Sequence, residues 1–164
     1  MLLKEAYDDL LAKIVSATQA LYGDRLVSIV LYGSVARGMM RHDSDVDLLI
    51  VAQDLPRGRL KRVEEFESVE EAVAEEIRRA AGRGIDAMLS PVLKTPDEVQ
   101  AGSPLFLDMV EDARLLYDRN GFFAQQLARL KDRLFDLGAK RIWKGNAWYW
   151  DLKPDYKPGE VFEL

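Results

Sequence analysis

The chain has no cysteine and a single histidine, His42. Disulfides and thiolate metal sites are thereby excluded, and a histidine-rich zinc centre would lack ligands. No apolar run approaches the roughly 20 residues that a membrane span needs. An excess of basic charge is lacking too: 23 Lys and Arg stand against 28 Asp and Glu, for a net charge of -5. That balance argues against a protein that coats nucleic acid through a basic stripe. The opening Met1-Leu2-Leu3-Lys4-Glu5 reaches charge too soon for a secretory leader, so a cytoplasmic protein is expected. What is present is ordinary for a globular domain: 164 residues, 48% hydrophobic and 31% charged, enough to bury one core.

Helical and strand patterns alternate, with no internal repeat. Leu3, Tyr7, Leu10, Ile14, Ala17 and Leu21 step by threes and fours, which predicts an amphipathic helix ended by Gly23. Leu26 to Tyr32 is an apolar, partly β-branched run that reads as a buried strand entering a Gly33-Ser34 turn. Val46 to Val51 is a second strand, closed by Asp54-Leu55-Pro56-Arg57-Gly58. Leu60, Val63, Phe66, Val73 and Ile77 mark a long helix stopped at Gly82-Arg83-Gly84, and Ile85 to Leu93 reads as a third strand. A short helix is expected after Ser103-Pro104, and a fourth strand over Ala113 to Tyr117. Asn120 is the expected N-cap of a last helix carrying Phe123, Leu127, Leu130, Leu134 and Leu137 inward. This order predicts an α/β (α+β) fold, a mixed central β-sheet with helices packed on it.

The chemistry concentrates between Tyr32 and Asp47. In Ser44-Asp45-Val46-Asp47-Leu48-Leu49-Ile50 the two aspartates stand two apart at a strand start, so both project from one face while Val46, Leu48 and Ile50 point into the core. Paired carboxylates of hard oxygens suit Mg²⁺, which takes one or two protein acids and completes its shell with phosphate and water. Asp-x-Asp alone is more often a solvated turn. Upstream, Tyr32-Gly33-Ser34-Val35-Ala36-Arg37-Gly38 places a glycine and a helix start directly after a buried strand, where backbone can approach a phosphate. Neither Gly-Lys-Ser/Thr nor Gly-x-Ser-x-Gly is present, so Ser34 reads as a phosphate ligand rather than a nucleophile.

Together, Gly33-Ser34-x-Ala-Arg-Gly and Ser44-Asp45-x-Asp47-Leu-Leu-Ile resemble the signature of the DNA polymerase β superfamily, most closely its minimal nucleotidyltransferase (MNT) group. The resemblance covers roughly Leu26 to Val51. It implies a polymerase-β-like nucleotidyltransferase fold and Mg²⁺-dependent transfer of NMP from an NTP, ATP foremost, to an acceptor hydroxyl. Gly33, Ser34, Arg37 and Ser44 would lie at the nucleotide, and Asp45 and Asp47 would hold two metal ions. The family also uses a third acid on a later strand. Asp86, the only carboxylate within the third predicted strand, is the candidate third ligand and hydroxyl base. Members of the MNT group are commonly paired with a HEPN-family toxin that they adenylylate on tyrosine, so a toxin–antitoxin role is implied. A small-molecule acceptor and a non-catalytic nucleotide-binding module are the alternatives.

The remaining charges are weaker candidates. Arg41 and His42 follow the short helix, where Arg41 could meet phosphate and His42 reads as a solvated turn residue. The basic cluster Arg57 to Arg62 reads as a solvated face. All three tryptophans lie between Trp143 and Trp150. We therefore divide the chain into a nucleotidyltransferase domain, 1–142, and an extended aromatic- and proline-rich arm, 143–164. The arm is expected either to pack on its own domain or to serve as a surface for a partner or a second copy.

Overall fold

Two strands that are apolar on both faces organise the molecule. In the computed structural model, which describes residues 2–164, the helices are α1 (Leu2–Tyr22), α2 (Gly33–Ala36), α3 (Arg59–Gly82), α4 (Pro96–Ala101) and α5 (Phe122–Asp136). The strands are β1 (Leu26–Tyr32), β2 (Val46–Ala52), β3 (Leu89–Lys94), β4 (Arg114–Asp118), β5 (Lys140–Lys144) and β6 (Ala147–Asp151). A four-stranded sheet runs β3-β2-β1-β4, and β5-β6 form a separate hairpin. β1 is antiparallel to β2 and β4, whereas β2 and β3 are parallel and joined through α3. The sheet is therefore mixed, as the sequence predicts.

Alternation along β2 divides the core in two. Val46, Leu48, Ile50 and Ala52 meet Tyr7, Leu10 and Ile14 of α1 and Phe66, Val69 and Val73 of α3. Leu49 and Val51 turn the other way, with Val30 of β1, onto Val99, Phe106, Met109 and Phe123. A strand covered on both faces reads as a continuous apolar run, which is why β1 and β2 are so clear in the sequence. Phe106 and Phe123 meet edge to face at 5.5 Å, and burying a side chain of that size contributes about 1.5–3 kcal/mol. No helix among the described residues is long and apolar enough to cross a membrane.

Four local features differ from expectation. β3 begins at Leu89 rather than Ile85, because Gly84 to Met88 run as irregular chain after α3. α4 follows β3 directly, opened by a capping box in which Thr95 Oγ1 accepts from Glu98 N and the Glu98 carboxylate accepts from Thr95 N. Asn120 is not the N-cap of α5. It sits in left-handed backbone (φ 54°), and the helix starts at Phe122. Its cap is Asp118, whose carboxylate accepts from Phe123 N and Ala124 N at 2.9 Å and from Ser28 Oγ at 2.7 Å.

The fourth difference is the arm. It begins as the hairpin β5–β6, whose first strand starts before position 143, so the expected boundary falls inside β5. The hairpin packs on the domain: Trp150 Nε1 donates to the Leu107 carbonyl at 3.1 Å, and Arg141 pairs with Asp112 at 2.7 Å. Arg62, from the basic cluster, is likewise structural, donating to both oxygens of Glu98 at 2.7 and 2.9 Å.

Asp118 thus ties β4, β1 and the start of α5 together. Asp118→Ala should cost about 1–2 kcal/mol, the usual range for loss of an N-cap. That is a fall in Tm of roughly 2–8 °C for a chain of this size, read by thermal melts. An unchanged Tm would remove Asp118 from the account of how α5 is held.

Candidate active site

The site lies where β1 ends and β2 begins. Tyr32 pairs with Asp47 across the two strands, so the Gly33 turn leaves β1 directly beside the second aspartate. Gly33 has φ 75°, a conformation that L side chains rarely adopt, and a Cβ there would fall 2.2 Å from Asp47 Oδ2. Only glycine brings the backbone this close to the carboxylate. α2 starts at Gly33, with Tyr32 as a cap residue that supplies no side-chain bond. Ser34 is therefore the second helical residue, not the cap. The first amides of any helix lack intrahelical partners, and those of Gly33 and Ser34 belong to the turn that Asp47 approaches.

Asp45 is exposed and Asp47 half-buried, both at the head of β2. Burial, and then the charge of Asp45, push the Asp47 carboxyl above the ordinary aspartate range. The Ser90 hydroxyl and Arg37 act in the opposite direction. Tyr32, buried between Asp47 and Asp108, has its phenol pushed up to about 12, chiefly by burial. A cleft of about 430 Å³ gathers Tyr32, Gly33, Arg37 and Asp47 with Asp108, Asn146 and Trp148. The structure thus brings Gly33, Arg37 and Asp47 together in one cleft, with Ser34 and Asp45 adjoining through the chain.

Ser44 and Asp86 are placed differently. Ser44 is buried, and its hydroxyl accepts the Arg41 N–H at 2.7 Å, so it fastens the loop before β2 rather than facing a nucleotide. Asp86 is exposed and precedes β3, its N–H donating to the His42 carbonyl at 2.7 Å. The β3 residue opposite Asp47 is Ser90. Asp86 lies four residues earlier, in the irregular chain before β3, and is not among the residues that line the cleft. Among the described residues, no three acidic or histidine side chains converge as a metal site. Arg41 and His42 are exposed, and Arg41 pairs with Asp43 at 3.5 Å.

Sequence reasoning missed four residues. Tyr7, one apolar-looking position of α1, donates its hydroxyl at 2.9 Å toward the carbonyls of both Arg41 and Ser44, pinning the loop that delivers Asp45. Asp108, Asn146 and Trp148 reach the cleft from the 3₁₀ turn Pro104–Asp108 and the hairpin. The paired acids, the glycine approach and the arginine form a donor set that fits Mg²⁺ carried by a polyphosphate, since Mg²⁺ needs few protein ligands when phosphates supply the rest.

The acid pair at the head of β2 stands beside the Gly33-Ser34 turn that leaves β1. A model of the nucleotidyltransferase domain family matches residues 11–134, and the chain belongs to that family. It is 33% identical over 126 residues to the "putative protein adenylyltransferase" of Methanocaldococcus jannaschii, covering 76% of this chain and 80% of that protein. Among solved structures, a toxin–antitoxin crystal structure with AMP-PNP shares 17% identity, over 77% of this chain and 91% of that one, with a TM-score of 0.45. The toxin–antitoxin MntA-HepT structure shares 16%, over 84% and 93%, also with a TM-score of 0.45. The protein is a transferase with a nucleotidyltransferase domain on a mixed α/β sheet.

The raised carboxyl of Asp47 has a consequence for stability. Above its ordinary value of 3.8 and below its raised value, the native state binds a proton that the unfolded chain has released. Its contribution therefore falls as pH rises through that window. In metal-free buffer, Asp47→Asn should melt higher than wild type, by a margin that grows as pH rises from about 4 through that window. A variant less stable than wild type at neutral pH would contradict this assignment.

Proposed function

We propose that the protein transfers AMP from Mg·ATP to a hydroxyl on another protein. The observation that carries this reading is the apposition, in one cleft, of the Gly33 turn, Arg37 and Asp47, within a domain of the nucleotidyltransferase family. The relative named as a protein adenylyltransferase supports the acceptor class. So does the site's exposure: Asp45 and Asp108 are open to solvent, as a hydroxyl presented on a protein surface requires.

In this reading, Gly33 and Ser34 receive the phosphates on backbone amides and the Ser34 hydroxyl, with Arg37 beside them. Asp45 and Asp47 hold Mg²⁺, two ions when the nucleotide is bound, which supplies charge neutralisation at the phosphates and orients the hydroxyl. The acceptor oxygen bonds to the α-phosphorus, the bond from that phosphorus to the bridging oxygen of pyrophosphate breaks, and the hydroxyl proton leaves to water or a carboxylate. By resemblance to the MNT group, the partner is a HEPN-family toxin and the acceptor its tyrosine. Asp86 has no part in holding the ion beside Asp47.

Calorimetry tests the metal dependence. ATP should bind at least ten-fold more tightly with Mg²⁺ than with EDTA, because neither aspartate pair nor phosphates complete the shell alone. Equal binding in both would count against the catalytic reading. Asp47→Asn should lower transfer by at least about 10²-fold while remaining folded, whereas Asp86→Asn should change it less than a few-fold. A loss of about 10²–10⁴ at Asp86, the range for removing a general base, would restore that residue to the site.

A further inference from the structure

The family match ends at residue 134, yet the cleft is closed by residues 146–148 of the β5–β6 hairpin. That wall lies outside the matched residues. Trp148 carries its effect: its indole lies against the Arg37 guanidinium, whose Cζ is 4.6 Å from the ring centroid. Among the described residues Arg37 makes no side-chain hydrogen bond or ion pair, so its contact with the indole is the one that fixes its direction. A guanidinium placed over an indole face can still donate from the N–H groups directed away from the ring.

From this geometry we infer that Trp148 is a positioning residue. It holds Arg37 at the Gly33–Asp47 cleft, so that the guanidinium meets a polyphosphate already in place. The indole itself is held. Trp143 packs against it at 5.0 Å, and Arg141 lies 5.3 Å from its ring while paired with Asp112 at 2.7 Å. That acidic partner neutralises Arg141, so two guanidiniums can share one indole without strong repulsion. The anchor of Trp150 to the Leu107 carbonyl fixes the hairpin to the turn that ends at Asp108, another wall of the cleft. A long arginine that would otherwise sample many rotamers is thereby pre-ordered, and binding need not supply that order. The arm, expected either to pack on its own domain or to serve a partner, forms at this position a wall of the cleft.

The inference rests on the nucleotide reading, and a binding cycle separates the two. Mg·ATP and Mg·tripolyphosphate are titrated by calorimetry into wild type, Trp148→Ala, Trp148→Phe, Arg37→Ala and the Trp148→Ala/Arg37→Ala double variant, each with a thermal melt. Trp148→Ala should weaken both ligands by about ten-fold, within the span of stacked cation–π contacts. Trp148→Phe should restore most of the affinity, and Trp148→Ala should add little once Arg37 is gone. Three results would overturn the positioning role. These are loss for ATP but not tripolyphosphate, which makes the indole a base platform; fully additive losses; or a lowered Tm with unchanged affinity, which leaves the hairpin merely structural. Wild type binding neither ligand would instead remove the nucleotide reading itself, and the inference with it.

Discussion

The molecule is arranged around one contact, the approach of the Gly33 backbone to the Asp47 carboxylate. A single methyl group at Gly33 would fall 2.2 Å from Asp47 Oδ2, and φ of 75° independently excludes most side chains. The contact exists because Tyr32 and Asp47 are register partners, with Gly33 the next residue off the strand. A one-residue slip between β1 and β2 would turn Asp47 into the core and expose its neighbours. The apolar runs on both faces of β1 and β2 fix that register, so the large buried core is also what holds the catalytic geometry.

Charge then accumulates where the fold concentrates it. Asp47 is partly withdrawn from water beside Asp45, and its carboxyl is raised first by that burial and then by the neighbouring charge. Among the described residues that line the cleft Arg37 is the one cation, and it lies over the Trp148 indole. Tyr7 acts on the other side, fastening the loop between α2 and β2 through two carbonyls. The acids are thus supported by residues that do not themselves meet substrate.

The parts of this arrangement that were legible in the sequence are the local ones. Leu26 to Tyr32 and the Asp45-Val46-Asp47 alternation state their own strand and face, because burial on both sides or on alternate sides leaves a direct pattern. Gly33 and Asp47 stand at the ends of those runs, and Arg37 was joined to them by the resemblance. Asp86 and Ser44 were assigned by proximity in sequence and by resemblance. Their placement depends on the parallel β2–β3 register and on the loop's internal bonds, which no periodicity encodes. Asp118 defeated the local capping rule because the residue that caps α5 lies two positions before Asn120, across left-handed backbone. The hairpin was hidden by Pro154 and Pro158, which punctuate its far side, and the contacts of Trp148 with Arg37 and of Trp150 with Leu107 span more than 40 residues.

The central claim is that this cleft transfers the nucleotidyl group to protein, and label position tests it most directly. ATP labelled at the α-phosphate, and separately at the γ-phosphate, is incubated with the protein and an extract of its source cells. The account predicts a labelled protein band from the α-label alone, dependent on Mg²⁺ and absent with Asp47→Asn. Label arriving from the γ-phosphate, or equal α-labelling by the Asp47→Asn variant, would contradict it.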